Sequence, residues 1–331
     1  MSDDPLAGSR GGTATAETPP PDGAGRDNQP APLAGAPRVS RRRKALRPYL
    51  LSVPAVLLCA GILYPFFLGV SYTFFDFSAA NPAPDAVGFD NFTTILGSDA
   101  FWTSVRVTLT FALSATVLET VLGVGVALLL NRSSLVGKLF ERVLIVPLMV
   151  APILAAIMWK LLLLPEVGWV RPIAQFFGVN DYNGTDSPVM AMVWAVIVDA
   201  WIFTPFVAII ALAGLRSLPK SPFEASAVDG AGWWLTFRKL TLPMLWPYLL
   251  VAVIFRLMDN LKMFDVIFGL TSGGPGDATT TLQISAYLEA ISYARYSRGL
   301  TYMFLLWLLV FVISMILVKY LRRIQDRAAG V

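Results

Sequence analysis

The chain has 331 residues, of which 56% are hydrophobic and 15% are charged, and its formal net charge is +4. This balance is typical of a membrane protein, and the lack of histidine excludes imidazole acid–base catalysis, Ser-His-Asp triads and histidine metal sites. No basic soluble domain accompanies the positive charge, so it indicates membrane topology rather than nucleic-acid binding.

The first 40 residues are rich in Pro, Gly, Ala and Ser and have almost no large apolar side chains. Such a segment cannot bury enough apolar surface to fold, so we predict a disordered tail. A cluster of arginine and lysine follows at 41–47, directly before the first apolar run at about 49–75. That run is too long for a signal peptide and lacks a clear cleavage site of small residues.

Five further apolar runs are long enough to cross about 30 Å of hydrocarbon at about 1.5 Å per residue. With the first run, they predict an all-α protein with six transmembrane helices. Basic residues collect in every second loop and near both ends of the chain, whereas the opposite loops carry mostly aspartate and glutamate. Basic loops remain inside, so we expect both termini to be cytoplasmic. The five runs extend over about 103–130, 143–164, 189–213, 244–270 and 299–320.

The longest polar stretch between two apolar runs precedes the fifth run. Ser221-Pro222 offers a cap and a first-turn proline, which predict a helix over 223–228. Glycines at 230 and 232 end that helix, and a second helix is predicted over 233–240. Polar residues at this depth need water or a partner, so the stretch should lie at the membrane surface and present a ridge.

The fifth run carries five polar or charged side chains. At about 100° per residue, the first three share about a third of the helix circumference and the last two lie on the other side. Charges inside a span are costly, so either the helix is irregular there or protein and water surround it. Both possibilities indicate a translocation path near the midplane. The five residues are Arg256, Asp259, Asn260, Lys262 and Asp265.

Other spans also carry groups suited to a path. Asp199 lies near Trp194 and Trp201 in the fourth run, and aromatic rings beside carboxylates suit a sugar, whose C–H faces stack while its hydroxyls take hydrogen bonds. The alternative is a set of ion pairs that fix helix packing. We favour packing for Glu119 and Lys160, and the path for Asp199, Asp259 and Asn260.

The polar stretch resembles the EAA coupling loop of ATP-binding-cassette (ABC) importer permeases, and residues 43–323 resemble the maltose-type, carbohydrate-uptake permeases. Ser226 replaces the second alanine of the motif name, and Leu240 replaces its usual isoleucine. The resemblance also rests on Gly88-Phe89-Asp90-Asn91-Phe92, on the run 255–265 and on Leu270-Thr271-Ser272-Gly273-Gly274-Pro275. The matching loop residues, which would couple to the ATPase, are Glu224, Ala225, Ser226, Asp229, Gly230, Ala231, Leu242 and Pro243.

The resemblance implies the transmembrane-domain fold of type I ABC importers over 41–323, with the coupling loop at 219–243 and cytoplasmic tails over 1–40 and 324–331. It implies a non-catalytic subunit of a sugar importer in a bacterial or archaeal cytoplasmic membrane. The chain lacks a phosphate loop, so ATP and Mg would bind the partner ATPase and this chain would bind no cofactor or metal. The implied partners are a second homologous permease, two copies of the ATPase and an extracytoplasmic solute-binding protein. The substrate path would use Asp199, Trp201, Arg256, Asp259, Asn260, Lys262 and Asp265.

Two other functions fit parts of the sequence. An ABC permease for a polyol or glycerol phosphate would use Arg256 and Lys262, although Asp259 and Asp265 would largely offset their charge. An ion-coupled secondary transporter would use Asp199, Glu119 and Asp259 as proton or sodium sites. Such a carrier would not need a coupling loop, and no inverted repeat is evident in the sequence.

Overall fold

The computed structural model describes residues 41–131, 135–178 and 180–328. The predicted N-terminal tail and residues 329–331 of the predicted C-terminal tail lie outside the described residues. The chain divides into two units, residues 1–59 and residues 60–331, and the second unit contains the helices after α1. The helices are α1 (Arg41–Tyr72), α2 (Asp90–Leu96), α3 (Asp99–Leu130), α4 (Leu135–Leu144), α5 (Pro152–Leu163), α6 (Val170–Phe176), α7 (Pro188–Ser217), α8 (Ser221–Val228), α9 (Trp233–Thr236), α10 (Leu242–Leu261), α11 (Asp265–Thr271), α12 (Leu282–Tyr287) and α13 (Tyr296–Ala328).

Short elements complete this all-α architecture. One two-stranded antiparallel ribbon joins β1 (Phe75–Asp76) to β2 (Asp85–Ala86), with Phe75 opposite Ala86. A 3₁₀ turn follows α4 at Pro147–Met149. Two π-helical turns extend neighbouring α-helices, Phe237–Thr241 between α9 and α10 and Leu288–Ser292 after α12.

Within the described residues, five helices are long and apolar enough to cross a membrane, and one bent pair supplies a sixth if it counts as a single span. The pair consists of Leu139–Met149 and Pro152–Leu163, which meet at 95°. The predicted third span, 143–164, is therefore not one straight helix but a bent pair. Pro147 and Pro152 lack backbone N–H groups, and Ala151 between them is extended at φ −60° and ψ 129°, so the helix cannot continue through this point.

The fifth span also differs from its predicted limits, 244–270. The apolar helix begins at Trp233 and ends at Leu261, and α11 is a separate element. Lys262 leaves helical geometry at φ −111° and ψ 19°, and its N–H donates to the Asp259 carbonyl at 3.2 Å. Asp265 in the first turn of α11 suits the positive end of a new helix. The irregular helix, one of the two possibilities left by the sequence, is the one observed.

The core lies where α3, α7 and α10 pack together. In α3 the polar residues Thr116 and Glu119 lie between two apolar clusters, one containing Phe111 and the other Val124. At Gly123, α3 and α7 come so close that a Cβ added to this glycine would lie 2.7 Å from the Cβ of Val207. Such contacts between small residues are typical of helix packing in membranes, and here they enclose a polar layer.

Candidate functional site

The predicted coupling loop is a helical hairpin, and its first arm is α8. Lys220 precedes the helix, and its carbonyl accepts from the N–H groups of Phe223 and Glu224 at 3.0 and 3.1 Å. The helix ends at Val228, and the chain turns at Gly230, whose φ of +72° lies in the left-handed region that favours glycine. The helix over 223–228 and the glycine turn after it are therefore confirmed.

The second arm is continuous with a membrane span. α9 begins at Trp233 and passes through the π-helical turn directly into α10. The predicted second helix over 233–240 is confirmed, but it does not end there. Leu242 and Pro243 lie in the first turn of α10, where a proline is tolerated because the first N–H groups have no helical partner. Displacement at the hairpin thus acts on the end of a span.

Ser226 fixes the two arms to each other. Its side chain is buried, and its hydroxyl lies 3.0 Å from the hydroxyl of Thr236 on α9. The Ala231 N–H also donates to the Ser226 carbonyl at 3.0 Å. The departure from alanine at this position therefore adds a bond across the hairpin, a role that sequence reasoning did not assign. Glu224 and Ala225 are exposed on the same helix.

The hairpin borders a groove of 1130 Å³ at the ends of α3 and α7. Lys220, Glu224 and Trp233 line it from the hairpin side, and Arg216 lines it from the end of α7. Arg216 is held in place because Nη1 and Nη2 donate to the two carboxylate oxygens of Glu141 at 3.2 and 3.0 Å. This exposed pair links α7 to α4, so both helices meet beside the hairpin.

The polar layer of the core is centred on one guanidinium, and we call it the Arg256 cluster: Thr116, Glu119, Asp199, Arg256 and Asn260. Arg256 is 2% exposed, and its Nε and Nη2 donate to the two oxygens of Glu119 at 2.7 and 3.0 Å. Nη2 also lies 2.7 Å from Asn260 Oδ1 and 3.2 Å from Asp199 Oδ2. The cluster therefore joins α3, α7 and α10.

Two further contacts complete the Arg256 cluster. The Asn260 side-chain amide donates to Thr116 Oγ1 at 3.1 Å and to Glu119 Oε1 at 3.3 Å. The Arg256 guanidinium carbon lies 3.8 Å from the ring centroid of Phe203, a cation–π contact. Glu119 therefore lies in a buried ion pair that fixes packing, as predicted. The same burial surrounds Asp199, Arg256 and Asn260, which the sequence had placed along a path.

The other predicted path residues are accessible. Asp259 is 50% exposed, and it lies between Arg256 Nη1 at 3.7 Å and Lys262 Nζ at 3.3 Å. Lys262 and Asp265 are also exposed, at the end of α10 and the start of α11. Trp201 is 36% exposed. The predicted path residues thus divide into a buried set inside the helix packing and an exposed set beside it.

Aromatic rings of α5 and α7 meet along the segment of α7 that carries Asp199. The Trp159 ring lies 6.4 Å from Trp194 and 5.8 Å from Trp201. Sequence reasoning missed Trp159, because no pattern shows that α5 turns back against α7 after its bend. Lys160, the next residue, is exposed and has no ion pair within the described part of the chain, so its predicted packing pair is not observed.

Comparison with known families gives a match over residues 119–330. The matching family is described as the binding-protein-dependent transport system inner membrane component. The matched region contains the hairpin, the bent pair and all of the Arg256 cluster except Thr116.

Individual relatives match more of the chain. The trehalose/maltose transport system permease protein MalF of Thermococcus litoralis is 34% identical over 245 residues, which cover 74% of this chain and 83% of that protein. The sulfoquinovosyl glycerol transport system permease protein SmoG of Agrobacterium fabrum is 31% identical over 280 residues, which cover 84% of this chain and 90% of that protein.

A solved structure shares the fold. A chain of the bacterial alginate ABC transporter, crystallised in complex with an alginate pentasaccharide-bound periplasmic protein, superposes with a TM-score of 0.73. The alignment covers 86% of this chain and 98% of that chain at 22% sequence identity. The predicted fold class, the transmembrane domain of a type I importer, is confirmed.

Proposed function

This chain belongs to the family of binding-protein-dependent transport system inner membrane components, and on that premise we propose that it is the membrane-spanning permease subunit of a sugar importer. The observation that carries the proposal is the helical hairpin 221–241, which presents Glu224 to solvent and continues without interruption into α10. A stand-alone ion-coupled carrier, one of the alternatives left by the sequence, does not fit this family, whose transport systems depend on a binding protein.

The hairpin provides the contact with the energy source. In the proposed complex, the exposed Glu224 and Ala225 on α8 dock on a cytoplasmic ATPase, which binds ATP and Mg and performs the hydrolysis. The chain itself binds no cofactor. Closure of two ATPase copies pushes the hairpin, and because its second arm is the start of α10, the push reaches the membrane as a rigid-body movement. This route requires the hairpin and both tails to be cytoplasmic.

The exposed set of polar residues supplies this chain's contacts to the cargo. Asp259, Lys262 and Asp265 cluster around the break between α10 and α11, and Trp201 offers an accessible ring. Carboxylates and a tryptophan face suit sugar hydroxyls and C–H groups, respectively. The buried residues Arg256, Asn260 and Asp199 have a positioning role, because they hold α3, α7 and α10 together. Arg256 also contacts Asp259. A second homologous permease completes the path, and an extracytoplasmic binding protein delivers the sugar.

The names of the relatives support a carbohydrate cargo. One is named for trehalose and maltose and the other for sulfoquinovosyl glycerol. The alternative cargo left by the sequence is a polyol or glycerol phosphate. A neutral sugar is favoured, because Lys262, the exposed cation of the set, already pairs with Asp259 at 3.3 Å. An anionic cargo would have to compete with that carboxylate.

The test of the proposal is co-purification followed by uncoupling. The tagged chain, extracted from its native membrane in mild detergent, should recover an ATPase with a phosphate loop and a second permease. Glu224→Ala should then abolish substrate-stimulated ATP hydrolysis while leaving the complex assembled. The matched control is Glu166→Ala, since Glu166 is also an exposed glutamate but lies outside the hairpin. Unchanged transport by Glu224→Ala would refute the coupling role.

A further inference from the structure

The Arg256 cluster contains more buried negative charge than positive charge. Among the described residues, the buried charged side chains are Glu119, Asp199 and Arg256, exposed by 0%, 0% and 2%. Two buried carboxylates therefore share one guanidinium in the middle of a membrane protein, and the half-exposed Asp259 lies 3.7 Å from the same group. An unpaired buried charge is far more costly than an unpaired neutral group, so this arrangement needs a further positive charge or a proton.

Among the described residues, Arg256 is the one buried cation. Lys262, directly after α10, is exposed and pairs with Asp259, which is itself half exposed. α7 also packs against α5 and α11, and the titratable groups on these helices, Lys160 and Asp265, are exposed. The remaining members of the cluster, Thr116 on α3 and Asn260 on α10, are uncharged, and the cation on α3, Arg106, is exposed.

The hydrogen bonds show which carboxylate lacks support. Glu119 receives two bonds from Arg256, through Nε and Nη2, and a third from the amide of Asn260. Asp199 receives one, at 3.2 Å, from the same Nη2 that already approaches Glu119 at 3.0 Å and Asn260 at 2.7 Å. A guanidinium nitrogen has two hydrogens, so it cannot serve three acceptors well. The other oxygen, Asp199 Oδ1, is buried without a hydrogen-bond partner among the described residues.

We propose that the Arg256 cluster is a proton-binding site, in which Glu119 is the ionised partner of Arg256 and Asp199 holds one proton. One carboxylate and one guanidinium then balance each other, and Asp199 joins α7 to α3 and α10 as a neutral acid. The proton lies on the Asp199 carboxyl group, and Oδ2 of that group remains 3.2 Å from Arg256 Nη2. The inference concerns the charge state of these helices, and it does not depend on the cargo or on the hairpin.

Two substitutions of a carboxylate by the matching amide distinguish this proposal from the alternative in which both Asp199 and Glu119 are ionised. Asp199→Asn replaces a neutral acid with a neutral amide of the same shape, so the purified complex in lipid nanodiscs should keep its melting temperature within about 2 °C. Glu119→Gln removes the charge that balances Arg256, and the melting temperature should fall by about 10 °C. An equal fall in both variants would overturn the proposal, since it would mean that both carboxylates are ionised.

Infrared spectroscopy detects the proton directly. The wild-type complex should show the carbonyl stretch of a protonated carboxyl group, shifted when the chain carries ¹³C-labelled aspartate and absent in Asp199→Asn. The exposed Asp186 is the control, and Asp186→Asn should keep the band. Absence of the band from the wild type, or its persistence in Asp199→Asn, would refute the protonated state. Failure of the sugar-cargo assignment would change neither measurement.

Discussion

Arg256→Met should be among the most damaging single substitutions in this chain. The side chain donates four hydrogen bonds of 3.2 Å or less to Glu119, Asp199 and Asn260, and it lies 3.8 Å from the Phe203 ring centroid. Methionine fills much of the volume but leaves Glu119 buried, with the Asn260 amide at 3.3 Å as its remaining donor. Breaking a buried ion pair by removing one partner costs about 3–5 kcal/mol.

That cost predicts a measurable change in stability and its partial repair. We expect the melting temperature of the purified complex to fall by about 10 °C, together with a lower yield of assembled complex. Replacing both members of a buried pair by apolar residues is often neutral, so Arg256→Met combined with Glu119→Leu should recover at least about half of the loss. The assay is thermal unfolding in nanodiscs, followed by tryptophan fluorescence.

Two results would refute this reasoning. A fall of less than about 2 °C for Arg256→Met would mean that Glu119 is already neutral or reaches water. A double variant worse than the single one would mean that the cluster is held by shape and not by charge balance.

Three further predictions follow, and in the first two a second glycine nearby serves as the control. Gly230→Ala should cost about 1–2 kcal/mol and reduce transport-coupled ATP hydrolysis, because φ is +72° at this position, whereas Gly232→Ala, in open space at φ −67°, should be tolerated in the same assay. Gly123→Ala should lower the melting temperature, since its Cβ would lie 2.7 Å from Val207, whereas Gly125→Ala meets nothing within 4 Å and should not. Asp259→Asn should reduce uptake while the complex assembles normally; failure to assemble would make Asp259 structural.

Much of the fold was accessible to sequence reasoning because hydropathy and turn residues are local signals. Runs of apolar residues located the spans, and the glycine at 230 located the turn of the hairpin. The bend before Pro152 and the end of α10 at Leu261 were missed for one reason. Hydropathy averaged over about 20 residues cannot show where a helix stops. The prolines at 147 and 152 were nevertheless a signal in the sequence for the bend.

The Arg256 cluster was harder to predict than the fold, because the residues that contact each other in it are far apart in the sequence. Glu119 and Arg256 are 137 positions apart, and Asp199 joins them from a third helix. Sequence identified each as a costly charge inside a span, but it could not say which carboxylate meets the guanidinium. Asp199 and Asp259 looked equivalent by that criterion. The structure separates them, since one is fully buried and the other is 50% exposed.

The hairpin and the Arg256 cluster lie on one continuous helix. Leu242 begins α10 beside the hairpin, and Arg256 follows 14 residues later, about 21 Å along the axis. Between them Leu245 and Leu249 are buried against α3 and α7. A push on the hairpin must therefore move α3 and α7 with α10, unless the Arg256 cluster breaks. Since breaking it would cost several kcal/mol, we expect these three helices to move as one body and access to alternate at their outer faces, where Asp259 and Trp201 are exposed.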